Sequence, residues 1–428
     1  MNDWKASLIR YFNAGAKECC VPRLGVEVEH FILDAESRAA VPYSGQRGVR
    51  QILTWLMKSY PEAEILPDDD FFGFRTPEFN ITLEPAAQFE ISIAPMESVR
   101  QIGEVYQGFS DNLNAVLAEY GYVLRNVGCQ PVSRVAELEM IPKRRYDLMN
   151  AHFQSFGTGG MEMMRGTASL QISIDYRSEA DFRRKIQAAC YYAPVLKLLC
   201  DHSPYFQGEP LLTRLKRTDI WRRTDPARCG ILPKVFSESY GFGDYAEFLG
   251  AMPPIFLKQG EQLLPTGFRT VAELFAGREM IEAEITHILS MAFPDVRLKQ
   301  FLEIRFADSV PLPFMLAYCA LIKGLLYSEE DLEYAQVQIA DKGISEDLVR
   351  EAEDALMERG WGAAVYVRPA KEQAETLLAL ARRGLPETEQ AYLDAFDAVA
   401  AYEGIRNIPE ETICGLLEKI ETAKEAKG

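Results

Sequence analysis

Acidic side chains recur at every second position in three short segments that otherwise consist mostly of apolar residues. The segments are 25–33, 82–92 and 301–308. On a β-strand, residues two apart project from the same face. The spacing therefore predicts polar rows on strand faces backed by hydrophobic neighbours, namely Glu27 with Glu29, Glu84 with Gln88 and Glu90, and Glu303 with Arg305.

Carboxylates that face one space repel each other. Two like charges about 5 Å apart cost about 3 kcal/mol at an effective dielectric constant near 20. A cation should offset this repulsion, and hard oxygen ligands favour Mg²⁺ or Mn²⁺. The alternative is a solvated strand face on which Glu90 or Glu303 pairs with Arg305. Recurrence in three segments favours a metal site formed by Glu27, Glu29, Glu84, Glu90 and Glu303.

Length and charge limit the class of protein. The chain has 428 residues, of which 48% are hydrophobic and 25% charged, as in a soluble globular protein. A net charge of −17 argues against nucleic acid or an anionic membrane as a partner. The amino terminus lacks the apolar core of a signal peptide, and no stretch has the apolar length of a membrane span. The sequence carries no signal for an oligomeric state.

Cysteine spacing bears on the compartment. The eight cysteines include no C-x-x-C pair, which in a chain of this size favours reduced thiols and a cytoplasmic location. A bond between the neighbours Cys19 and Cys20 would be strained, so none is expected there.

Hydrophobic periodicity predicts the elements that position the acidic rows. The strands precede helices without regular alternation and most are half polar. This favours an α+β fold with an antiparallel sheet, covered by helices on one face and open to a ligand on the other. A single catalytic domain is expected over residues 1–428, with a helical carboxyl-terminal part, 330–428, packed on it. Helices are predicted for 3–20, 47–60, 97–120, 178–200, 270–291 and most of 312–425, a strand for 166–176, and irregular structure for 203–265.

Arginines are concentrated in the irregular region. Taken alone they fit a solvated loop, but beside a carboxylate site they are suited to clamp a phosphate or a substrate carboxylate. The chain has no Walker or dinucleotide-binding glycine motif, and no zinc-protease or serine-hydrolase motif. The arginines are Arg214, Arg217, Arg222, Arg223 and Arg228.

Recognisable motifs follow one another between Gly25 and Asp308, and they include the segments 82–95, 141–149, 169–176, 220–221, 228–233 and 296–308. These motifs resemble those of the plant-type glutamate–cysteine ligases. The resemblance implies a glutamine-synthetase-like carboxylate–amine ligase fold, in which a curved antiparallel sheet forms a funnel. It also implies that ATP phosphorylates the γ-carboxylate of L-glutamate, and that L-cysteine displaces the phosphate to give γ-glutamylcysteine in the first step of glutathione biosynthesis.

The resemblance implies roles for individual residues. The five glutamates are candidate ligands of Mg²⁺ or Mn²⁺ ions that bridge the ATP phosphates. Arg305 would act as the catalytic residue that stabilises the transferring phosphoryl group, and Lys299 and Arg228 would bind ATP. The candidates for substrate binding are Arg217, Trp221, Gln171, Thr167 and Arg165.

One departure from the family pattern concerns the acceptor. Members usually have Arg-Thr directly before the strand that ends in Gln-Val-Asn, whereas here the order is Arg165-Gly166-Thr167 and Ser173 replaces the Asn. A shift of one residue on a strand reverses the side-chain direction. An acceptor other than cysteine therefore stays open, as do a catalytically silent nucleotide-binding paralogue and an unrelated metal-dependent hydrolase.

Overall fold

A sheet of nine strands forms the centre of the molecule. The computed structural model describes residues 3–18, 21–67, 70–260 and 262–425. Numbered along the chain, the strands are β1 (Leu24–Asp34), β2 (Glu64–Ile65), β3 (Gly73–Arg75), β4 (Phe79–Leu83), β5 (Phe89–Met96), β6 (Tyr122–Arg125), β7 (Ser169–Ile174), β8 (Tyr205–Phe206), β9 (Glu209–Pro210), β10 (Cys229–Gly230), β11 (Phe256–Gln259), β12 (Gln262–Pro265), β13 (Phe293–Pro294), β14 (Val296–Leu298), β15 (Leu302–Asp308), β16 (Ala364–Val365) and β17 (Arg368–Pro369).

The strand order brings the three acidic segments together. Neighbours in the sheet follow the order β14–β15–β7–β1–β5–β4–β3–β2, and β6 pairs with the carboxyl-terminal part of β1. All of these pairs are antiparallel. β1 thus lies beside β5, and only β7 separates it from β15. The predicted α+β class with an antiparallel sheet is confirmed.

Helices cover one face of the sheet and make up most of the chain beyond residue 312. Helices α3, α6 and α11 contact the sheet directly. In the described ranges, no helix combines the length and the apolar character needed to cross a bilayer. The helices are α1 (Asp3–Ala14), α2 (Val49–Met57), α3 (Val99–Tyr120), α4 (Arg144–Phe153), α5 (Gly160–Gly166), α6 (Glu179–Leu199), α7 (Lys216–Arg222), α8 (Phe242–Ala251), α9 (Val271–Leu274), α10 (Glu282–Leu289), α11 (Leu312–Tyr327), α12 (Glu329–Lys342), α13 (Glu346–Arg359), α14 (Ala370–Gly384), α15 (Glu387–Gln390), α16 (Asp394–Tyr402) and α17 (Glu410–Glu425).

The alternation along β1 separates the two faces of the sheet. Val26 and Val28 are buried under the helices, whereas Glu27 and Glu29 point to the other face. His30 is on the helix-covered face, where burial lowers its pKa to about 4. Nδ1 of its neutral ring lies 2.8 Å from the carbonyl oxygen of Phe89, so the role of His30 is structural.

The segment 82–92 is a hairpin, and the prediction of one strand region there is wrong. β4 and β5 flank a turn that contains Glu84 and Gln88. Pro85 has no N–H to donate to a strand ladder, and Ala87 has a φ of +61°, which no strand contains. Glu84 therefore reaches the open face from the turn, and Glu90 reaches it from β5.

Two further regions differ from the predicted elements. The periodic segment 270–291 forms two helices, α9 and α10, because Gly277 between them has a φ of +74°. The region 203–265 was expected to be irregular, yet it contains α7 and α8 between short hairpins. The six cysteines in the described part of the chain are free thiols, and Cys19 and Cys20 lie outside the described residues.

The carboxyl-terminal helices pack on the helices that cover the sheet. α14 lies against α11, while α12 and α13 lie against α6. Gly324 allows the close approach of α11 and α14, because a Cβ at this position would be 2.5 Å from the carbonyl oxygen of Ala381. An ion pair of 2.6 Å between Lys323 of α11 and Glu389 of α15 joins a further helix to α11.

Replacing Gly324 with alanine tests this packing. The added methyl meets backbone, so we expect the free energy of unfolding to fall by about 1–3 kcal/mol in urea denaturation. Gly415, in α17, is the matched control because a Cβ there meets nothing within 4 Å. Gly415→Ala should raise the free energy of unfolding by up to about 1 kcal/mol through helix propensity. Equal effects of the two changes would contradict the close packing of α11 and α14.

Candidate active site

The open face of the sheet forms the floor of a cleft of about 500 Å³. Strands β1, β5, β7 and β15 supply the floor, and α4, α5, α7 and α10 supply the walls. Most of the residues that the sequence singled out line this one space. They are Glu27, Glu29, Glu84, Glu90, Thr167, Gln171, Arg217, Trp221, Lys299 and Arg305.

Strand register brings the acidic side chains close together. Glu29 on β1 lies directly opposite Glu90 on β5, where Cβ atoms are about 4.5–5.5 Å apart. Glu27 lies opposite Gln171 on the other side of β1. Glu84 joins them from the turn before β5. The four carboxylates therefore share the acidic part of the cleft.

Burial and mutual repulsion raise the pKa values of this group. Burial, followed by the charge of Glu29, raises the pKa of Glu84 to about 7. Burial and the charge of Glu27 raise the pKa of Glu90 well above its ordinary value. The pKa of Glu27 is raised by burial and by Glu303. Without a cation, Glu84 therefore takes up a proton near neutral pH.

Glu29 is oriented by neutral donors on β7. The backbone N–H and the hydroxyl of Ser169 donate to its two oxygens at 2.7 and 2.8 Å, and Gln171 Nε2 donates at 3.2 Å. Sequence reasoning missed the role of Ser169. The signal was present, since Ser169 and Gln171 are two apart on the same strand face.

Glu303 anchors a cluster of cations beside the acidic group. It is fully buried and accepts from Arg297 Nε at 2.6 Å, Lys299 Nζ at 2.8 Å and Arg305 at 2.8 Å. Burial opposes its ionisation, but Arg297, Arg305 and Lys299 outweigh burial and hold its pKa well below the ordinary value. Its oxygens are thus bonded to cations, which is the ion-pair alternative. Metal ligation by Glu303 stays a prediction from the sequence. Sequence reasoning missed Arg297, which lies opposite Glu303 on β14.

A bulge in β15 directs Arg305 into the cleft. Ile304 and Ala307 keep their partners on β7, so two residues of β15 oppose the single Gln171. The Arg305 guanidinium donates to Gln171 Oε1 and to Glu303. Burial lowers the pKa of Arg305, but the charge of Glu303 reverses this effect and leaves it raised, so the guanidinium stays charged.

α7 presents two side chains with unused donors to the cleft. Arg217 is 5% exposed, donates to the carbonyl oxygen of Arg305 at 3.0 Å and lies 5.7 Å from the ring centre of Trp221. Among the described residues, neither Arg217 Nε nor the indole N–H of Trp221 has a hydrogen-bond partner. Buried donors of this kind are rare in native proteins and are suited to an anionic ligand.

Arg228 does not line the cleft, contrary to its predicted role in ATP binding. It is 1% exposed, and its donors are used by Asp225 at 2.7 Å and by the carbonyl oxygens of Met291 and Pro253 at 3.1 and 2.7 Å. Its role is therefore to hold loops together. Arg217 is the member of this group that lines the cleft. The remaining three pair away from it: Arg214 with Asp201, Arg222 with Glu353, and Arg223 with Asp219.

Arg165 does not line the cleft either, so its predicted role in substrate binding is not supported by its position. Its guanidinium is 3.3–3.4 Å from the carbonyl oxygens of Val135 and Leu138 and from Asn150 Oδ1. Arg165 is in α5, so the direction of its side chain follows from the helix and not from a shift along a strand, as the sequence argument assumed. Thr167 lines the cleft, with its hydroxyl turned to the carbonyl oxygen of Met163 at 2.8 Å.

The chemistry of the acidic group fits divalent cations carried by a nucleotide. In the described ranges, no three His, Cys, Asp or Glu side chains already converge around one metal position. A nucleotide-bound Mg²⁺ needs only one or two protein carboxylates, since phosphates and water complete its shell. The oxygen donors that fit are those of Glu27, Glu29, Glu84 and Glu90.

Comparison with known proteins identifies the family. The model of glutamate-cysteine ligase family 2 (GCS2) matches residues 23–408. The chain belongs to this family. A chloroplastic glutamate–cysteine ligase of Medicago truncatula is 30% identical over 402 residues, covering 91% of this chain and 78% of that protein. The Arabidopsis thaliana chloroplastic enzyme is 28% identical over 406 residues, covering 87% and 77%.

A solved structure shows the same fold as this GCS2 family member. The glutamate–cysteine ligase of Francisella tularensis, in complex with AMP, superposes with a TM-score of 0.51. The match covers 96% of this chain and 95% of that chain, at 12% sequence identity. The arrangement of sheet and helices is therefore shared over nearly the whole length.

Replacing Glu84 with glutamine tests the electrostatics of the cleft. The pKa of this carboxyl is 4.5 in the unfolded chain and about 7 in the folded protein. Its ionisation therefore lowers the stability of the folded state as pH rises through this range. Without divalent cations, Glu84→Gln should therefore be more stable than the unsubstituted protein at pH 8, by up to about 3 kcal/mol, and equal to it at pH 4. The measurement is urea denaturation across pH.

The control for this experiment is Glu119→Gln, which changes an exposed glutamate on α3. It should leave the pH dependence of stability unchanged. The crowding of the carboxylates would be contradicted if Glu84→Gln and Glu119→Gln gave the same stability at pH 8.

Proposed function

We propose that this protein uses ATP to join the γ-carboxylate of L-glutamate to the amine of L-cysteine, giving γ-glutamylcysteine, ADP and phosphate. The observation that carries the proposal is one cleft in which four crowded carboxylates lie beside the Arg297–Lys299–Arg305 cluster. Membership of the GCS2 family and the names of its plant relatives support the same reaction.

Phosphoryl transfer between two anions depends mainly on positioning and on neutralising charge. Mg²⁺ or Mn²⁺ held by Glu27, Glu29, Glu84 and Glu90 supplies that neutralisation when bound. Arg305 lies between this group and Glu303, with its charge maintained and its direction fixed by Gln171. It is thus placed to stabilise the phosphoryl group as it moves from ATP to glutamate.

The nucleotide fits the end of the cleft near Glu27. There the cleft adjoins a further cavity of about 320 Å³, and Glu27 and Phe301 line both spaces. Its lining combines the uncharged polar Asn80, Ser92 and Ser173 with the charged Lys17, Arg23 and Asp175. The uncharged groups suit a base and ribose, which leaves the phosphates over Glu27 and Lys299.

Glutamate fits the opposite end of the cleft. Arg217 and Trp221 offer buried donors there that lack a partner in the described part of the chain. A guanidinium that is already desolvated binds a carboxylate strongly. This orientation would direct the γ-carboxylate of glutamate towards Arg305.

A different amine acceptor is the second candidate function. It is favoured by one observation, that Arg165 is bound to backbone carbonyls and does not line the cleft. The cytoplasmic location stays a prediction from the sequence.

An acceptor assay tests the reaction. With ATP, Mg²⁺ and glutamate, release of phosphate should be fastest with cysteine among a panel of amines, and removal of Mg²⁺ by EDTA should stop it. A tenfold preference for another amine, about 1.4 kcal/mol, would reassign the acceptor within the ligase class. Phosphate release that does not depend on glutamate would indicate a hydrolase. Nucleotide binding without turnover would indicate a catalytically silent paralogue.

Arg305→Lys tests the phosphoryl-stabilising role. A lysine cannot reproduce the two-pronged contact with Glu303 and the moving phosphoryl group, so kcat should fall about 100-fold or more. The KM for ATP should change much less, because the carboxylates still hold the nucleotide. Arg75→Lys, at an exposed ion pair with Glu64, is the matched control. Unchanged kcat in Arg305→Lys would remove this residue from the mechanism.

A further inference from the structure

One buried glutamate of the carboxyl-terminal helices is bonded to two elements that form the cleft. Glu353 on α13 is 3% exposed and does not itself line the cleft. One of its carboxylate oxygens accepts from Lys197 Nζ on α6 at 2.6 Å, and the other accepts from Arg222 at the end of α7 at 2.5 Å. Lys197 Nζ also donates to the carboxylate of Asp295 at 2.9 Å. We refer to these four residues as the Glu353 network.

We propose that Glu353 is a positioning residue for the transfer of the phosphoryl group to glutamate. Through Lys197 it holds the bulge in β15 that directs Arg305 into the cleft. Through Arg222 it holds α7, which carries Arg217. This inference rests on the proposed ligase function and adds a role for a residue of the helical carboxyl-terminal part.

The Lys197 side of the network contacts both residues of the bulge. The backbone N–H of Arg305 donates to the carbonyl oxygen of Asp295 at 3.0 Å, and Lys197 Nζ lies 5.4 Å from the ring centre of Phe306. Residues in a bulge lack regular pairing with the next strand, so contacts of this kind decide their direction. Burial lowers the pKa of Lys197, but the charges of Asp295 and Glu353 outweigh burial and leave it raised, so the ammonium stays charged.

The Arg222 side of the network fixes the end of α7 on α13. Besides Glu353, the Arg222 guanidinium donates to the carboxylate of Asp354. α7 has seven residues, and a helix of this length depends on tertiary contacts for its stability. Arg217 on the same helix donates to the carbonyl oxygen of Arg305 at 3.0 Å. The position of α7 therefore affects both guanidinium groups.

Phosphoryl transfer is sensitive to small displacements of the groups that stabilise it. A shift of about 1 Å can lower the rate about 100-fold. In the described part of the chain, no member of the Glu353 network bonds to the four crowded carboxylates, which we propose hold the metal ions of ATP. The network is therefore expected to affect kcat and the binding of glutamate, and to leave the binding of ATP unchanged.

Glu353→Gln tests this role, because the amide has nearly the same shape without the charge. Lys197 keeps its ion pair with Asp295. Arg222 keeps its ion pair with Asp354, so the variant should fold. At saturating substrates, kcat for phosphate release with glutamate and cysteine should fall about 10- to 100-fold. The KM for glutamate should rise, and the KM for ATP should stay within about twofold of its original value.

Glu389→Gln is the matched control, because it removes the charge of another buried glutamate of the carboxyl-terminal part. Glu389 is 4% exposed, lies 2.6 Å from Lys323 and does not line the cleft. Loss of this ion pair should lower Tm, as Glu353→Gln does, while kcat stays within about twofold of that of the unsubstituted protein. All assays are run below the Tm of each variant.

A double-mutant cycle distinguishes positioning from a general loss of stability. If Glu353 acts through Arg305, Glu353→Gln should lower kcat by less than about threefold in the Arg305→Lys background. The same factor in both backgrounds would show that the two residues act independently, and would overturn the proposal.

Arg222→Gln tests the α7 side of the network and replaces Glu353→Gln if that variant does not fold. The Arg222 side chain is 26% exposed, so its replacement leaves less buried charge without a partner. The KM for glutamate should rise about threefold or more, with the KM for ATP unchanged. An unchanged KM for glutamate would overturn the proposal.

The outcomes separate this inference from the ligase function. An active unsubstituted protein, with the same kcat in Glu353→Gln and Glu389→Gln, would overturn the positioning role alone. If the unsubstituted protein forms no γ-glutamyl product, the ligase function is refuted and this inference with it.

Discussion

Repulsion among four carboxylates is the constraint on which the rest of this structure depends. The sheet register fixes Glu29 opposite Glu90, and the turn before β5 adds Glu84 to the same space. Backbone hydrogen bonds hold these positions, so the side chains cannot separate to relieve the repulsion. Protons or divalent cations must therefore neutralise them, and the raised pKa of Glu84 shows the first of these solutions.

The neighbouring cations supply the other half of the site. Glu303 binds Arg297, Lys299 and Arg305 and so keeps three positive charges near the acidic group. Because these cations are tied to a buried carboxylate, they stay oriented next to the four glutamates. A polyphosphate with its metal ions can then bridge the acidic and basic parts, which is what transfer of a phosphoryl group to glutamate requires.

Alternation by two residues was sufficient to predict that Glu27 and Glu29 share a strand face, because strand geometry alone fixes which side chains lie on one side. The pairing of Glu303 with Arg305 was only the alternative to metal binding, and the structure shows that pair. Alternation predicted the wrong element for Glu84, which reaches the cleft from a turn and not from a strand. It could not show the bulge at Arg305, which depends on pairing with β7. Asp225, three residues before Arg228, was a sign in the sequence of a local ion pair. The structure shows this pair.

Diffraction from crystals grown with Mn²⁺ and a non-hydrolysable ATP analogue tests the central claim most directly. The anomalous signal of manganese locates each ion independently of the surrounding protein. We predict ions in the cleft about 2.1 Å from carboxylate oxygens of Glu27, Glu29, Glu84 or Glu90, each also bound to phosphate oxygens. Manganese and nucleotide bound elsewhere, with these four carboxylates in contact with water alone, would contradict the account.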